Sequence, residues 1–532
     1  MLYRKSRQGG SQNIHLLDCL LLSLLLLVVS SCNELSESLN QRKEITMETL
    51  SAWRVSGYGL EPDSIAHQLQ ALCRSGKTDW SADAQARQYY RNHDDLLWVD
   101  RYGADERADS LLACLQRVSD IGMTERSFLA DRIRKNLERL RQLDFDAEHD
   151  MNHVMAHLEF DCTTAYLRYV AGQRYGFYNP SYRLNHLDFK EPTDSVHRRP
   201  SVYKRLFDVP MAHPDSVFYE TAFSKVRTGQ VAEFLREVEP ADTFYLRMKN
   251  ELKGADEDRR RKLLCNMERR RWRTVKQPDR SQRCLVVNIP AFMLYGYGPK
   301  PIEMRVAVGA YSTKSPLLTS EITHLEVNPQ WHIPQSIIKN DVARHAGDSA
   351  YFARHRYYIA DRKTGQKLNV GSVSRGMLLS GGYRVSQEGG AGNSLGRIIF
   401  RFPNDFSVYL HDTSSPGVFA RENRSVSHGC IRVQRPFDLA CYLLASPDEW
   451  LLDKIRIGMD MQPQTERGLR YVRTTPEEDR KKLITWQSIK PNIPVFITYY
   501  TIYPDLSGHL QYYPDIYGYD RSIWETLQVF MK

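Results

Sequence analysis

The chain has 532 residues, room for two or three folded domains rather than one core. Charged residues make up 26% and apolar residues 42%, ordinary for a globular protein. The net charge of +9 is modest for this length, the basic residues face 64 acidic ones, and no RNP, helix-turn-helix or zinc-finger pattern appears, so no nucleic-acid partner is expected. Nine cysteines are scattered without a C-x-x-C pair, which argues against a zinc site. Two of them, Cys19 and Cys32, fall at the N-terminal end, leaving an odd seven, most of which read as buried thiols rather than a disulfide framework. No cofactor is expected.

Residues 1–31 read as a targeting segment. Arg4, Lys5 and Arg7 form a basic start, and Leu16 to Val29 form an apolar run interrupted by Asp18. That run is short for a membrane span and suits a secretory signal. Val29-Ser30-Ser31-Cys32 resembles a bacterial lipobox, in which Cys32 is lipidated and becomes the first mature residue. A polar tether over 32–60 follows. The expectation is an exported protein, held to a membrane by its N-terminal lipid and facing the periplasm. Asn33 is not the aspartate that retains many such lipoproteins at the inner membrane, which leans toward the outer membrane.

Residues 61–278 read as helical. Ala108, Leu111, Leu112, Leu115 and Val118 follow helical spacing, with Gly122 as a stop. Met151 to Val170 is a long helical stretch, and Ala222, Val226 and Val231 to Val238 indicate more. His149, His153 and His157 sit four apart, on one predicted helical face. Two histidines so spaced can hold zinc, but no H-E-x-x-H accompanies them, and a polar or interhelical face is expected. Glu268 to Arg273 (ERRRWR) reads as a solvated helix end.

The texture changes at Cys284, where Cys284 to Pro290 and Glu303 to Val308 read as strands. Phe400 to Leu410 reads as a strand pair, and Ile493 to Ile502 as another strand. Val433 to Leu444 reads as a helix with Pro436 in its first turn and Cys441 on its inner face. Between these lies Tyr409 to Val433 (YLHDTSSPGVFARENRSVSHGCIRV), the stretch that carries chemistry. Cys430 needs a base to become a thiolate, and His411 lies 19 residues upstream. Gly429 allows a tight turn whose amides can face an oxyanion. Arg432 adds a permanent charge that favours a thiolate or a substrate carboxylate. By spacing alone a packed core cysteine is the commoner explanation.

The surrounding residues change that balance. Ser427-His428-Gly429-Cys430-Ile431-Arg432 after an upstream histidine resembles the signature of the L,D-transpeptidase (YkuD-type) catalytic domain. Asn393 to Gly396, Phe400 to Asn404, Tyr409 to Thr413, Asn328-Pro329 with Trp331 and Pro334, and Asp515 to Asp520 resemble the large periplasmic members. Tyr90 to Asp100 and Leu158 to Pro180 resemble their helical scaffold. Two loops depart from the pattern, Gly389-Gly390 and Thr413-Ser414, and no repeat of a wall-binding module is found.

The resemblance implies an α+β multidomain chain: an all-α scaffold, then a mostly-β catalytic domain over 279–505 with a lid inserted at about 337–383, then a C-terminal segment over 506–532. It implies a peptidoglycan L,D-transpeptidase in which Cys430, deprotonated by His411, attacks a stem peptide after its third residue. A neighbouring stem then resolves the acyl-enzyme into a cross-link between third-position residues. Gly429 and Cys430 amides would hold the oxyanion. His428 and Asp412 would orient His411 or the loop, Arg432 would position a carboxylate or the loop, and Tyr409 would line the site. Carbapenems are implied as acylating agents. Water as acceptor would make a carboxypeptidase, and a free D-amino acid an exchange enzyme. A non-catalytic wall-binding lipoprotein is the rival class, opposed by the intact pair. An NlpC/P60-type peptidase would place cysteine before histidine, the reverse of the order here.

Overall fold

The computed structural model describes residues 59–75, 81–190 and 202–531. The targeting segment, Cys32 and nearly all of the tether lie outside the described residues. The chain divides into two compact units, and not at a single point. The first holds the described residues up to 175, with 214–241 and 529–531. The second holds 176–213 and 242–528.

The first unit is helical. Helices α1 (Pro62–Ser75), α2 (Ser81–Asn92), α3 (Glu106–Leu115), α4 (Ala130–Gln142), α5 (Met151–Tyr175), α6 (Ser216–Arg227) and α7 (Val231–Glu237) form it. Asp105 caps α3 by accepting from the Arg107 N–H. α5 is buried on nearly every side, as expected of a helix without a polar face. At its middle the buried Glu159 accepts the backbone N–H groups of Trp98 (2.8 Å) and Val99 (3.0 Å) and the Tyr90 hydroxyl (2.5 Å). That carboxylate thereby ties α2 and the turn after it to the central helix. The three histidines do not share one helical face. His149 precedes α5, in a turn where its Nδ1 lies 3.0 Å from Asp146 Oδ1. His153 and His157 stack on α5 with ring centroids 4.2 Å apart.

In the second unit residues 176–213 are followed by α8 (Thr243–Glu251) and α9 (Glu257–Arg271). The basic run ending α9 is buried, contrary to the solvated helix end expected from sequence. Arg269 pairs with Asp520 at 2.6 Å, with side chains only 2% and 6% exposed. Arg271 reaches Glu268 (3.3 Å) and the Tyr245 hydroxyl (2.9 Å). Glu268 also accepts the N–H groups of Phe177 and Tyr178. Arg269 thus meets a carboxylate from a distant element and Arg271 one on its own helix, turned inward, a compensation that a local pattern does not reveal.

Strands β1 (Cys284–Asn288), β2 (Met293–Tyr297), β3 (Ile302–Gly309) and β4 (Leu317–Val327) follow. Then come an insertion with β5 (Trp331–His332), β6 (Tyr357–Asp361) and β7 (Tyr383–Gln387), and β8 (Ile398–Arg401), β9 (Leu410–His411), β10 (Ser425–Ser427) and β11 (Ile431–Val433). Helices α10 (Pro436–Leu443) and α11 (Glu449–Gly458) precede β12 (Trp486–Thr498). Eight strands close a ring in the order β8–β9–β11–β3–β2–β1–β12–β4 and back to β8. β9–β11 and β1–β12 are the parallel pairs of the ring. Register lines up Leu325, Phe400, Leu410 and Ile431 across four neighbouring strands, all fully buried on the inner face. α10 carries Pro436 in its first turn, where a missing N–H costs nothing.

The insertion builds its own three-stranded sheet, β5–β7–β6. Its separate core includes Ile333, Val342, Phe352, Ile359 and Val385. The sequence of this segment shows few strand runs, because β6 and β7 are short and polar on one side. Replacing Arg269 with Ala should leave Asp520 buried and unpaired, costing about 3–5 kcal/mol in urea unfolding; a loss under about 1 kcal/mol would mean that the pair is solvated.

Candidate active site

The site grows from the parallel pairing of β9 with β11. Leu410 lies opposite Ile431 and His411 opposite Arg432. The Ile431 N–H donates to the Tyr409 carbonyl at 3.0 Å, which extends the register to Tyr409 and Cys430. Side chains alternate along a strand, so Leu410 and Ile431 enter the core while Tyr409, His411, Cys430 and Arg432 share the outer face. Alternation thus brings the predicted nucleophile and base to one side of two adjacent strands.

A web of short hydrogen bonds holds the turn before Cys430. Gly429 has φ +116°, a conformation that a side chain disfavours. Its N–H donates to Ser427 Oγ at 3.1 Å, and that hydroxyl donates to the Cys430 carbonyl at 2.5 Å. Ser315 Oγ donates to the Gly429 carbonyl (2.7 Å) and accepts from the Gly309 N–H (2.9 Å). Behind them the Tyr517 hydroxyl donates to the Gly309 carbonyl (2.6 Å) and accepts from the Ser315 N–H (3.1 Å). The Gly429 N–H is therefore engaged and does not face an oxyanion, contrary to expectation. The Cys430 N–H has no partner among the described residues and is the one left to do so.

His411 is buried, and its Nδ1 lies 2.5 Å from the Asp412 carbonyl. A carbonyl only accepts, so Nδ1 carries the proton and Nε2 of the neutral ring keeps its lone pair. Burial lowers the His411 pKa to about 4; the Asp412 carbonyl opposes that shift and the Arg432 charge adds to it. Burial raises the Cys430 thiol, against the easing effects of the Tyr409 backbone N–H, Arg401 and Arg432. Its Sγ sits 3.7 Å from the Ser407 carbonyl. At neutral pH both partners are uncharged, a thiol beside an imidazole.

Asp412 orients His411 through its main chain and not its carboxylate. That carboxylate instead accepts the Arg397 N–H at 2.8 Å. It packs so closely on Gly396 (φ +69°) that a Cβ there would lie 2.4 Å from the Asp412 side chain. His428 does not orient His411 either: it is 59% exposed, and its Nε2 faces Asp341 of the insertion at 4.0 Å. Arg432 is half-buried, and its buried Nε has no hydrogen-bond partner among the described residues. Burial lowers its pKa, with the Cys430 thiol opposing. Tyr409 lies under the Arg401 guanidinium, 4.5 Å from its ring centroid. Arg401 in turn forks onto Glu326 with contacts of 3.0 and 3.2 Å.

Sequence reasoning passed over Ser315, Tyr517 and Arg401. Ser427 stands in the motif, so a role for it was within reach. Ser315 carries no local signal, because its partner Gly429 is 114 residues away. Among the described residues no group of three His, Cys, Asp or Glu side chains is arranged to hold a metal ion. The seven described cysteines are free thiols.

Comparison with known proteins bears on the same region. Residues 282–456 match the L,D-transpeptidase catalytic domain family, YkuD, and residues 83–252 match the Scaffold domain family. A protein of Haemophilus influenzae named "Putative L,D-transpeptidase" is 31% identical over 258 residues, which is 47% of this chain. The match takes in 48% of that relative, so the chain spans about half the length of the curated protein it resembles. A solved L,D-transpeptidase from Mycobacterium smegmatis is 13% identical, covering 41% of this chain and 58% of its own, with a TM-score of 0.18. The chain carries a YkuD L,D-transpeptidase catalytic domain preceded by a Scaffold domain.

Proposed function

We propose that this protein transfers acyl groups between peptidoglycan stem peptides through a thioester on Cys430. The observation that carries the reading is the strand register that sets Cys430 and His411 on one outer face, with His411 Nδ1 tied to a carbonyl. In the first half-reaction Sγ attacks the carbonyl of the donor's third residue and its proton passes to His411 Nε2. The C–N bond to the terminal D-alanine breaks, and His411 returns the proton to the departing amine. In the second, the side-chain amine of a neighbouring stem attacks the thioester, an amide forms and the thiol is restored. Because both partners start neutral, the proton moves as the nucleophile attacks rather than beforehand. The Cys430 N–H is oriented for the developing oxyanion by the Ser315 bond to the Gly429 carbonyl, on the other side of the same peptide plane.

Arg432 fits a substrate carboxylate. A guanidinium with a buried, unpartnered Nε gains most from an anion delivered by the ligand. The basic start, the apolar run and Cys32 support an exported, lipid-anchored protein that meets its substrate in the periplasm.

Incubation with disaccharide-tetrapeptides, followed by mass spectrometry, should give a dimer lacking one D-alanine. A tripeptide monomer alone would make water the acceptor. Cys430→Ala should abolish product and His411→Ala should lower it at least a hundredfold; turnover by Cys430→Ala would end the mechanism. A carbapenem should add its mass to the wild-type protein and not to Cys430→Ala. Arg432→Gln should raise KM for the donor roughly tenfold, the worth of a charge-assisted bond. The acid limb of kcat/KM should fall near pH 4, where the free enzyme's His411 takes its proton, and an inflection near 6.5 would contradict the buried neutral ring.

A further inference from the structure

The outer face of the ring continues beyond the site. Register sets Cys430 beside Tyr409, Tyr409 beside Arg401, and Arg401 opposite His324. On the next strand Ser488 lies opposite His324 and Trp486 opposite Glu326. These side chains lie on the face opposite the buried row Leu325–Phe400–Leu410–Ile431. They are not a scattered surface. The Arg401 guanidinium stacks on Tyr409 and forks onto Glu326. The His324 ring lies 5.6 Å from that of Trp486, which is 56% exposed. The result is a polar, aromatic track across five strands, from the thiol at one end to an open indole at the other.

We propose that the Trp486 end of this track binds a sugar ring of the glycan strand bearing the donor stem, an inference that rests on the acyl-transfer reading above. Three observations choose this occupant. The Arg401 and Glu326 charges cancel, so the track calls for neither an anion nor a cation. The exposed indole has the His324 ring beside it and Glu326 opposite it in register, two polar groups. A flat ring face beside a carboxylate with lone pairs to spare fits a neutral ring that has C–H groups on its faces and hydroxyls at its edge.

The spacing fits as well. Four inter-strand steps separate Cys430 from Trp486, about 19 Å at ~4.8 Å each. Three extended peptide residues cover about 10 Å, two of those steps. A stem with its third carbonyl at Cys430 would therefore bring its sugar-bearing end past Arg401, toward His324 and Trp486.

Two measurements test this. Tryptophan fluorescence of the Cys430→Ala protein should be quenched by the disaccharide without peptide, and the quenching should vanish in Cys430→Ala/Trp486→Ala. Wild-type kcat/KM should favour the disaccharide-tetrapeptide over the free tetrapeptide roughly tenfold, the worth of one good stacking contact. In Trp486→Ala that ratio should fall to about one, and Trp486→Phe should keep part of it. Equal use of the two donors by the wild type, or an unchanged ratio in Trp486→Ala, would overturn the track. Sugar binding that depends on Trp486, in a protein that turns over neither donor, would uphold the track and overturn the acyl-transfer reading instead.

Discussion

One short parallel ladder, Leu410 and His411 against Ile431 and Arg432, carries the geometry of the site. It fixes which face the thiol and the imidazole share, and a slip of one residue would send one of them into the core. A ladder two residues long cannot hold such a register unaided. The bracing comes from behind, through Ser427, Ser315 and Tyr517 around the Gly429 turn. Each bond of this kind contributes only about 1 kcal/mol net. Together they fix the turn and leave the Cys430 N–H without a partner among the described residues.

The same unit handles buried charge in two ways. In α9, Arg269 and Arg271 are nearly inaccessible and each meets a carboxylate, so their burial is a structural matter. Arg432 is half-buried with its Nε withdrawn from water, yet no carboxylate faces it within the described residues. Desolvation without compensation is tolerated where a ligand supplies the missing partner. His411 and Cys430 are likewise held neutral by burial.

Much of this was legible in the sequence, and the remainder was hidden for identifiable reasons. Periodic apolar spacing revealed α3, and β-branched runs revealed β1 and β3, because their burial follows the period of one element. The His411 and Cys430 pair was legible through its motif. The partners of that pair were less so. Asp412 was expected to orient His411 or the loop; its carbonyl meets His411, while its carboxylate is spent on the Arg397 N–H. A sequence does not distinguish a residue's main chain from its side chain. The run from Glu268 to Arg273 read as solvated because its counter-charges come from Asp520 and from Glu268 itself, turned inward. Tyr517 stands in the singled-out stretch Asp515 to Asp520 but without a role, and Ser315 could not be found by local pattern, since their roles exist only once distant strands have met.

The insertion between β4 and β8 sits on strands that pair with each other, Val327 opposite Ile398. Topologically it is an overgrown hairpin loop: seventy residues leave the ring and return to the neighbouring strand. The entropy of closing such a loop grows only with the logarithm of its length. With a core of its own, the insertion can be lengthened, trimmed or rewritten in sequence while the ring keeps its register. The sequence of the insertion and the register of the site strands are thereby free to change independently. The ladder that sets thiol and imidazole on one face can stay fixed while what hangs from a single hairpin is rewritten.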